Sequence, residues 1–379
     1  MSKAVIAGYV RSPFHFAGKG ALTKVRPDDL SATVIKGLLE KTGVKPDDIE
    51  DLVLGCAFPE AEQGLNVARL IGMIVGLPQT VAGATINRFC GSSMQAIHLA
   101  AGAIAMGAGQ AFICAGIESM TRVPMMGFNP MPNPALAEKV KAAYMSMGET
   151  AENVAKKYQI SRKEQEEFAV RSHRLATAAR QAGKFTDEII PIAAGKENVV
   201  SDGCIREETS MEALAGLKPA FDEKGSVTAG TSSPLTDGAS ACLVTSEDYA
   251  KANGLRVLAR IKSSAVVGCA PEIMGIGPVA ATERALKRAG LTIKDIDIIE
   301  LNEAFSSQAI ACMRDLKIDL DKTNLDGGAI ALGHPLGATG ARITGKAAAL
   351  LKRESKQFAL ATQCIGGGQG IATILEAAA

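Results

Sequence analysis

The chain has 379 residues, of which 47% are hydrophobic and 21% are charged, and its formal net charge is +1. A chain of this length and apolar content can bury a large core, which predicts two or three domains. Lysine and arginine (41) nearly balance aspartate and glutamate (40), and aromatic residues make up only 4%. Nucleic-acid binding is therefore not expected, although local anion sites remain open.

Eight cysteines are spread along the chain without any C-x-x-C pair, at positions Cys56, Cys90, Cys114, Cys204, Cys242, Cys269, Cys312 and Cys364. This spacing argues against a zinc ribbon or a disulfide scaffold and favours reduced thiols in a cytoplasmic compartment. The apolar part of the N-terminal segment Met1–Val10 is too short for a secretion signal, and Arg11 follows it at once. We expect this segment to form the first strand.

A short turn around Cys90 has the features of a nucleophile site. A β-prone segment at 80–82 is followed by the turn Asn87–Ser93 and then by a helical pattern. This order places Cys90 at the N-terminus of a helix. The free N–H groups and the helix dipole there favour thiolate, so we expect Cys90 to titrate below the ~8.5 of a free thiol. The alternative is one more buried apolar cysteine, and the turn alone does not decide between them.

The segment from Phe89 to Ile117 carries no charge, and about 20 apolar residues suffice to cross a membrane. Glycines, Gln95 and Gln110 within it argue against a lipid environment, so we predict no membrane span. We expect a helix at about 92–106 and a strand at 111–116, with the helix enclosed so that no face meets water.

An internal duplication predicts the architecture. The segment Lys41–Phe58 aligns without gaps on Arg288–Phe305, with six identities: Gly43/Gly290, Asp48/Asp295, Ile49/Ile296, Leu54/Leu301, Ala57/Ala304 and Phe58/Phe305. In both copies a helix (30–41 and 278–288) ends at a glycine and leads into a buried strand. Each half is therefore predicted to be a β/α unit.

Each half then contains a second repeated motif, which is a turn of small residues followed by a nearly uncharged helix and a strand. The first turn carries Cys90, and the second, Gly327–Gly340, carries His334. Two such halves packed about a pseudo-twofold axis would place the two apolar helices in a buried middle layer. Cys90 and His334 would then meet.

Residues 121–226 differ in composition and sequence pattern from both halves. A loop rich in proline, methionine and asparagine spans 125–134, and a helix with a serine N-cap spans Ser161–Gln181 and ends near Gly183. His173 on this helix is expected on a solvated face.

We predict three units: an N-terminal half (1–120 plus 227–255, with a strand at 241–245), an inserted loop domain (121–226) and a C-terminal half (256–379). Among the remaining candidates, His98 is expected to be a satisfied core histidine and Glu303 to be structural, whereas His15 is unplaced.

Five motifs together resemble the thiolase family over essentially the whole chain: Asn87–Ser93, Met147–Glu152, Asn302–Phe305, Gly327–Gly337 and Cys364–Gly368. The resemblance implies an α/β fold of five layers, αβαβα, with two duplicated halves and an inserted loop domain. It implies acyl-CoA substrates, coenzyme A as a co-substrate, no permanently bound cofactor or metal, and a homodimer or homotetramer. Association with other β-oxidation enzymes is left open.

The resemblance also assigns roles to residues. Cys90 would accept the acyl group, His334 would activate it, and Cys364 would be the second acid/base. Asn302 would hold a water that forms one oxyanion hole with His334, and the N–H groups of Cys90 and Gly366 would form the other. The resemblance also implies contacts with CoA, although the motifs for them are less specific than those of the catalytic residues. These contacts involve Ser233, Met147, Arg206, Ala304 and Phe305.

The chemistry requires such a set. Thiolate attack on the keto carbon of a 3-ketoacyl-CoA, with the enolate of acetyl-CoA as leaving group, places charge on two oxygens in turn. A second acid/base must protonate the enolate, and a free CoA thiol then attacks the acyl-cysteine in a ping-pong reaction. The segments 19–30, 91–95 and 233–238 resemble those of degradative 3-ketoacyl-CoA thiolases. At the position of Ser146, the resemblance to the acetoacetyl-specific type would imply a histidine.

Four alternatives stay open. An acetyl-CoA C-acetyltransferase specific for acetoacetyl-CoA would share every motif. A condensing enzyme of the ketoacyl-carrier-protein synthase type would lack the second catalytic cysteine, and a non-catalytic lipid-binding relative would have lost one of the four catalytic residues. A zinc site would need clustered ligands, which the spacing does not provide.

Overall fold

The computed structural model describes residues 3–378. The first half contains β1 (Ala4–Arg11), β2 (His15–Phe16), α1 (Pro27–Thr42), β3 (Asp51–Gly55), α2 (Val67–Val75), β4 (Ala82–Ile86), α3 (Ser92–Met106) and β5 (Ala111–Ser119). The inserted segment contains α4 (Pro134–Lys139), α5 (Met147–Lys157), α6 (Arg162–Gln181), β6 (Ile192–Ala194), β7 (Glu197–Val199) and α7 (Met211–Ala215). The remaining elements are β8 (Thr236–Ser246), α8 (Glu247–Ala252), β9 (Ala259–Gly268), α9 (Gly277–Ala289), β10 (Ile298–Leu301), α10 (Ser306–Leu316), α11 (Ala329–Leu332), α12 (Leu336–Arg353), β11 (Phe358–Ile365) and β12 (Gln369–Ala377).

The strands form a ten-stranded mixed sheet in the order β4-β3-β5-β8-β1-β9-β12-β11-β10, with β2 attached to β8. In the first half β3 is parallel to β4 and β5, whereas β8 is antiparallel to β5 and β1. The second half repeats this order: β10 is parallel to β11, and β12 is antiparallel to β11 and β9. The repeated order confirms the duplication inferred from the sequence.

The alternation of side chains along the strands separates two cores in the first half. On β5, Ile113 and Ile117 belong to the core shared with α1 and α2, whereas Phe112 and Cys114 belong to the core shared with α3 and α12. Because neighbouring strand residues point to opposite faces, one strand serves both layers. A third core joins α9 and α10 to the outer face of β10–β12. The result is five layers, α/β/α/β/α, as expected.

The middle layer consists of α3 and α12, which pack against each other and against both halves of the sheet. Glycines allow the close approach: a Cβ on Gly116 would lie 2.3 Å from the carbonyl oxygen of Gly337, and one on Gly340 would lie 2.3 Å from the backbone nitrogen of Met94. Within residues 3–378, the two halves of the sheet pair directly only where Val5 pairs with Arg260 and Ile6 with Ala259. The helices of the middle layer therefore provide most of the junction.

The expectation that the first apolar helix is fully enclosed was wrong. Nearly all of α12 is buried, but on α3 Leu99 is 47% exposed and Met106 is 87% exposed. The stretch Phe89–Met106 has the length and composition of a membrane-spanning helix; in the structure one face of it packs against α12 and the other carries these exposed side chains.

Helix ends and strand bounds follow most of the sequence signals. Both duplicated helices end at a left-handed glycine, Gly43 with φ 68° and Gly290 with φ 69°, and α6 starts with a capping box at Ser161. Three strand expectations needed correction. The first strand of the nucleophile turn begins at Ala82 rather than before it, β5 runs on to Ser119, and β8 begins at Thr236. The domain boundaries stay a prediction.

Candidate active site

A cavity of about 210 Å³ brings together residues that lie far apart in the chain. Cys90, His334 and Cys364 all line it. Four of the residues assigned to CoA contacts also line it, namely Ser233, Met147, Ala304 and Phe305. The nucleophile and base candidates are thus placed against one space by the two halves of the molecule.

The local chain around Cys90 is a tight turn between β4 and α3. Phe89 adopts φ 43°, a conformation that turns the chain sharply. The Ser92 hydroxyl accepts a hydrogen bond from the N–H of Arg88 (2.8 Å) and donates one to the carbonyl of Phe89 (2.6 Å). Cys90 therefore sits two residues before the first residue of α3, where it is 8% exposed.

The expected low pKa of Cys90 was wrong. Burial raises the pKa of the Cys90 thiol to about 12, although hydrogen bonds from the N–H groups of Gly366 and of Cys90 itself act in the opposite direction. The argument from the helix dipole considered only the local turn and left out the second half, which covers the sulfur. The resting nucleophile is therefore a thiol.

His334 occupies the matching position before α12 and is held from two sides. Its Nδ1 lies 2.6 Å from the hydroxyl oxygen of Thr339, and its backbone N–H donates to the hydroxyl oxygen of Thr236 (3.0 Å). The Thr339 hydroxyl can donate to the carbonyl of Pro335 (3.2 Å), so its oxygen is free to accept from Nδ1–H. This arrangement leaves the lone pair of Nε2 for proton transfer.

Burial lowers the pKa of His334 to about 3, and the positive charge of Arg342 adds to the effect. The imidazole is therefore neutral at physiological pH and able to accept a proton. The amide nitrogen of Asn302 lies 3.4 Å from Nε2, on the side of the free lone pair.

Asn302 and Cys364 complete the group from the carboxyl ends of β10 and β11. The backbone N–H of Asn302 donates to the carbonyl of Thr362 (3.0 Å), which ties the two strand ends together. The side-chain oxygen of Asn302 is buried and has no partner among residues 3–378. Cys364 is fully buried, and burial followed by the nearby Cys90 raises the pKa of its thiol well above the ordinary value.

Two further residues hold the site and were missed in the sequence. The side-chain amide of Gln363 donates to the carbonyl of Cys90. The carboxylate of Glu118 accepts from the N–H groups of Ala57 (2.8 Å) and Gly337 (2.9 Å), which links the loop after β3 to the start of α12. Glu118 is the first charged residue after the long uncharged segment, and that position was the one signal available.

Arg206 does not line the cavity. It is exposed, with its guanidinium carbon 5.8 Å from the centre of the Phe16 ring, and its backbone N–H donates to Nδ1 of His173 (3.1 Å). His173 is only 1% exposed, so its expected solvated position was wrong. Burial, together with Arg206, lowers its pKa to about 4.

The other singled-out groups have structural partners. Nε2 of His98 lies 2.8 Å from the hydroxyl of Thr373, and Nε2 of His15 lies 3.0 Å from the carbonyl of Ser201. The buried Glu303 accepts from the hydroxyl of Ser172 (2.6 Å). Among residues 3–378, no group of three or more His, Cys, Asp or Glu side chains is arranged to hold a metal ion.

Comparison with known proteins agrees with this architecture. The thiolase N-terminal domain model matches residues 4–248, and the thiolase C-terminal domain model matches residues 255–377. A 3-ketoacyl-CoA thiolase of Bacillus subtilis is 50% identical over 99% of this chain and 100% of its own length.

Two solved structures resemble the chain over its whole length. Human mitochondrial 3-ketoacyl-CoA thiolase, also solved in complex with CoA, superposes with a TM-score of 0.93 at 38% identity and covers 100% of this chain and 99% of that one. An acetyl-CoA acetyltransferase of Bacillus anthracis gives a TM-score of 0.91 at 39% identity, with the same coverage. With both family models matched and a full-length relative at 50% identity, the chain belongs to the thiolase family.

Proposed function

We propose that the protein is an acyltransferase that cleaves 3-ketoacyl-CoA with coenzyme A, giving acetyl-CoA and a shortened acyl-CoA. One observation carries this proposal: Cys90, His334 and Cys364, from both halves of the molecule, line one cavity. The names of the similar proteins support the same reaction.

The first step is acyl transfer to the enzyme. Nε2 of the neutral His334 takes the proton of the Cys90 thiol while the sulfur attacks the keto carbon. The transfer is concerted with attack because a free thiolate is disfavoured in this buried site. Negative charge then develops on the keto oxygen, and preorganised donors stabilise it. We assign this oxygen to His334, now protonated, and to a water on Asn302.

Breaking the bond between the second and third carbons regenerates the carbonyl and releases the enolate of acetyl-CoA. In our assignment the thioester oxygen of this enolate lies against the N–H groups of Cys90 and Gly366. The Cys364 thiol protonates the carbon, since its buried position keeps the proton on sulfur until the enolate forms. Acetyl-CoA then leaves with Cys90 acylated.

In the second step a free CoA thiol attacks the acyl-cysteine. A base must take the proton of CoA, and the Cys364 thiolate left by the first step is placed to do so. The thioester bond to Cys90 breaks, the sulfur recovers its proton from His334, and the shortened acyl-CoA departs. Every proton is returned, so the enzyme ends the cycle unchanged.

The CoA contacts belong to the same proposal. Met147, Ser233, Ala304 and Phe305 line the cavity, which supports our assignment of these residues to contacts with the pantetheine arm. Arg206 lies outside the cavity and remains a prediction for the charged nucleotide end of CoA.

Chain length separates the degradative activity from the acetoacetyl-specific alternative. Met125 of the proline- and methionine-rich loop lines the cavity beside Phe221, whereas Phe128 of the same loop is 60% exposed and outside it. Methionine side chains adapt to different shapes, and each buried methylene of a substrate contributes ~0.8 kcal/mol, roughly a factor of four in affinity. We therefore expect 3-ketoacyl-CoAs longer than acetoacetyl-CoA to be accepted at least as well.

The deciding experiment is CoA-dependent thiolysis of 3-ketoacyl-CoAs across a series of chain lengths. Similar or rising kcat/KM beyond acetoacetyl-CoA supports the degradative activity. A steep fall beyond acetoacetyl-CoA would favour the acetyl-CoA C-acetyltransferase, and the similarity to the Bacillus anthracis enzyme keeps that outcome open. Activity on carrier-protein substrates without CoA would favour the condensing-enzyme alternative.

The exposed edge of the sheet supports a homodimer. β4 is the terminal strand, and α2 and α3 beside it expose Met73 (58%), Leu99 (47%) and Met106 (87%). An open strand edge with apolar neighbours favours pairing with a second copy. Sedimentation of Leu99→Arg should show a shift to smaller mass, whereas Leu320→Arg, elsewhere on the surface, should not. A tetramer, association with other β-oxidation enzymes and a cytoplasmic location stay predictions.

A further inference from the structure

A second cavity lies at the opposite end of α12 from the active site. Its volume is about 560 Å³, against about 210 Å³ for the active-site cavity. Leu336 at the start of α12 lines the active-site cavity, whereas Leu350 near the end of the helix lines the second one. At a rise of ~1.5 Å per residue these positions are about 20 Å apart. The two cavities have no lining residue in common.

Cations dominate the lining of this second cavity, which we call the basic cavity. Its lysines and arginines are Lys41, Lys184, Arg256, Lys346, Lys352 and Arg353, and its acids are Asp187 and Glu188. The whole chain carries a net charge of only +1, so this excess is a local concentration of positive charge.

Three of these cations are already paired with carboxylates, among them Lys184, whose ammonium lies 3.6 Å from Asp326. The Lys346 ammonium lies 2.8 Å from carboxylate oxygens of both Glu188 and Asp326, and the Arg353 guanidinium lies 2.6 Å from Asp326. Glu188 in turn pairs with the buried Arg11 (2.8 Å). Glu188 is therefore satisfied by buried cations. Asp187 is exposed and has no cation partner within 4.0 Å among residues 3–378, so it offsets part of the charge of Lys41 but not that of Arg256 and Lys352.

The cations at the rim remain available. Within residues 3–378, Arg256 and Lys352 have no carboxylate oxygen within 4.0 Å. The ammonium of Lys41 donates to the backbone carbonyl of Asp187, and the nearby positive charge of Arg256 contributes to lowering its pKa, after burial. Like charges are thus held close together around an open space, where an anion would stabilise all three.

Tyr9 on β1 lines the basic cavity but offers no hydrogen-bond donor to it. Its side chain is only 3% exposed and belongs to the core shared with α3 and α12, and its hydroxyl is enclosed there, without a hydrogen-bond partner among residues 3–378. Recognition of a ligand in this cavity therefore depends on the cations at the rim.

We propose that the basic cavity is a binding site for a small phosphorylated polyanion. Lys41, Arg256 and Lys352 supply the compensating charge and the hydrogen-bond donors at the rim. Several adjacent cations favour a ligand with more than one negative charge, and the volume is that of a site for a nucleotide-sized molecule. A neighbouring cavity of about 730 Å³ shares Arg256 and Lys352, which gives a longer ligand room to extend.

The test is isothermal titration calorimetry of the full-length enzyme with pyrophosphate, after the active site has been saturated with CoA. We expect one saturable site per chain, with affinity that falls as salt is raised. The double variant Arg256→Ala/Lys352→Ala should weaken binding about tenfold or more, because charge-assisted hydrogen bonds are lost.

The matched control is Lys287→Ala/Lys294→Ala, which removes the same charge from the last turn of α9 and from the turn that follows it, and neither residue lines the basic cavity. It should bind pyrophosphate like the wild type. Absence of saturable binding in the wild type, or equal weakening in the control, would each overturn the proposal. Titrations with ADP and with adenosine 3′,5′-bisphosphate distinguish the sources: preference for the 3′-phosphate indicates a second CoA molecule, and preference for ADP indicates a free nucleotide.

Discussion

The two duplicated halves place different chemistry at equivalent positions. Cys90 lies two residues before α3, and His334 lies two residues before α12. The sequence alignment pairs Gly55 with Asn302, and counting along the paired strands from Phe112 and Ala359 places Ile117 opposite Cys364. The first half thus supplies the nucleophile, and the second supplies the base, the amide and the second thiol.

The difference follows from packing. A Cβ on Gly55 would lie 2.4 Å from the backbone nitrogen of Ser93, so the first half uses this position to seat its own helix. The equivalent Asn302 reaches the ring of His334 instead. Ile117 faces the outer core of the first half, whereas Cys364 faces the cavity. One scaffold position therefore serves packing in one half and chemistry in the other.

The largest expected effect comes from removing the one reactive group of the first half. Cys90→Ser should lower kcat by at least about 10³-fold, because a serine hydroxyl is far harder to deprotonate in this buried site. Mass spectrometry of wild type quenched with acyl-CoA should place the acyl group on the Cys90 peptide. Cys269→Ser, which does not line the cavity, is the control, and labelling of any other peptide would refute the assignment.

Replacing the second thiol should separate the two chemical steps. Cys364→Ala should still acquire an acyl group on Cys90 from a simple acyl-CoA, but exchange of the α-protons of acetyl-CoA with solvent deuterium should fall by about 10²-fold or more. Cys242→Ala removes a buried thiol from the middle core and should exchange normally. Normal exchange in Cys364→Ala would contradict the assigned role.

Asn302→Gly gives the second half the residue of the first. Loss of the donor should lower kcat for thiolysis by about 10²-fold, the usual result of removing one oxyanion donor. Asn302→Asp keeps the shape of the side chain and removes the N–H donor, so it should be impaired to a similar degree. An active Asp variant beside an inactive Gly variant would show that Asn302 acts through packing.

The smallest expected effect is that of pH on kcat/KM for acylation. His334 has a pKa of about 3 and Cys90 a pKa of about 12, so both keep their neutral resting forms across the usual range of assays. The rate should be flat between about pH 6 and 9. A change of kcat/KM with pH near neutrality would instead indicate a resting thiolate–imidazolium pair.

Stability must be measured alongside activity on the acid side. The buried His334 stays neutral in the folded protein down to about pH 3, whereas in the unfolded chain it binds a proton below its usual value of ~6.5. Its contribution to stability is therefore present above about pH 6.5 and is lost as the pH falls towards 3. His98, with a pKa of about 3, acts in the same direction.

Features that depend on a local sequence pattern were predicted correctly. Features that depend on burial by residues distant in the chain were missed. The turn at Cys90, the turn at His334 and the glycine ends of α1 and α9 were predictable because each is local in the chain. The buried state of His173 was not, since the covering residue Arg206 comes from a later segment.

The same reason explains the errors at the active site. The raised pKa of Cys90 comes from burial of the thiol in the folded site, which the local turn does not reveal. The contact of Gln363 with the Cys90 carbonyl joins residues 273 positions apart in the chain. The exposed Leu99 of α3 could not be told from an enclosed residue by composition alone.

The close contacts at glycines between α12 and the first half affect when the protein becomes active during folding. The contacts of Gly116 with Gly337, and of Gly340 with Met94, join segments more than two hundred residues apart. Such long-range contacts form late, because long loops must close first. Each half can fold as a unit before they form. Until that closure the nucleophile and its base belong to separate bodies, so a newly made chain stays chemically inert until its two halves have closed on each other.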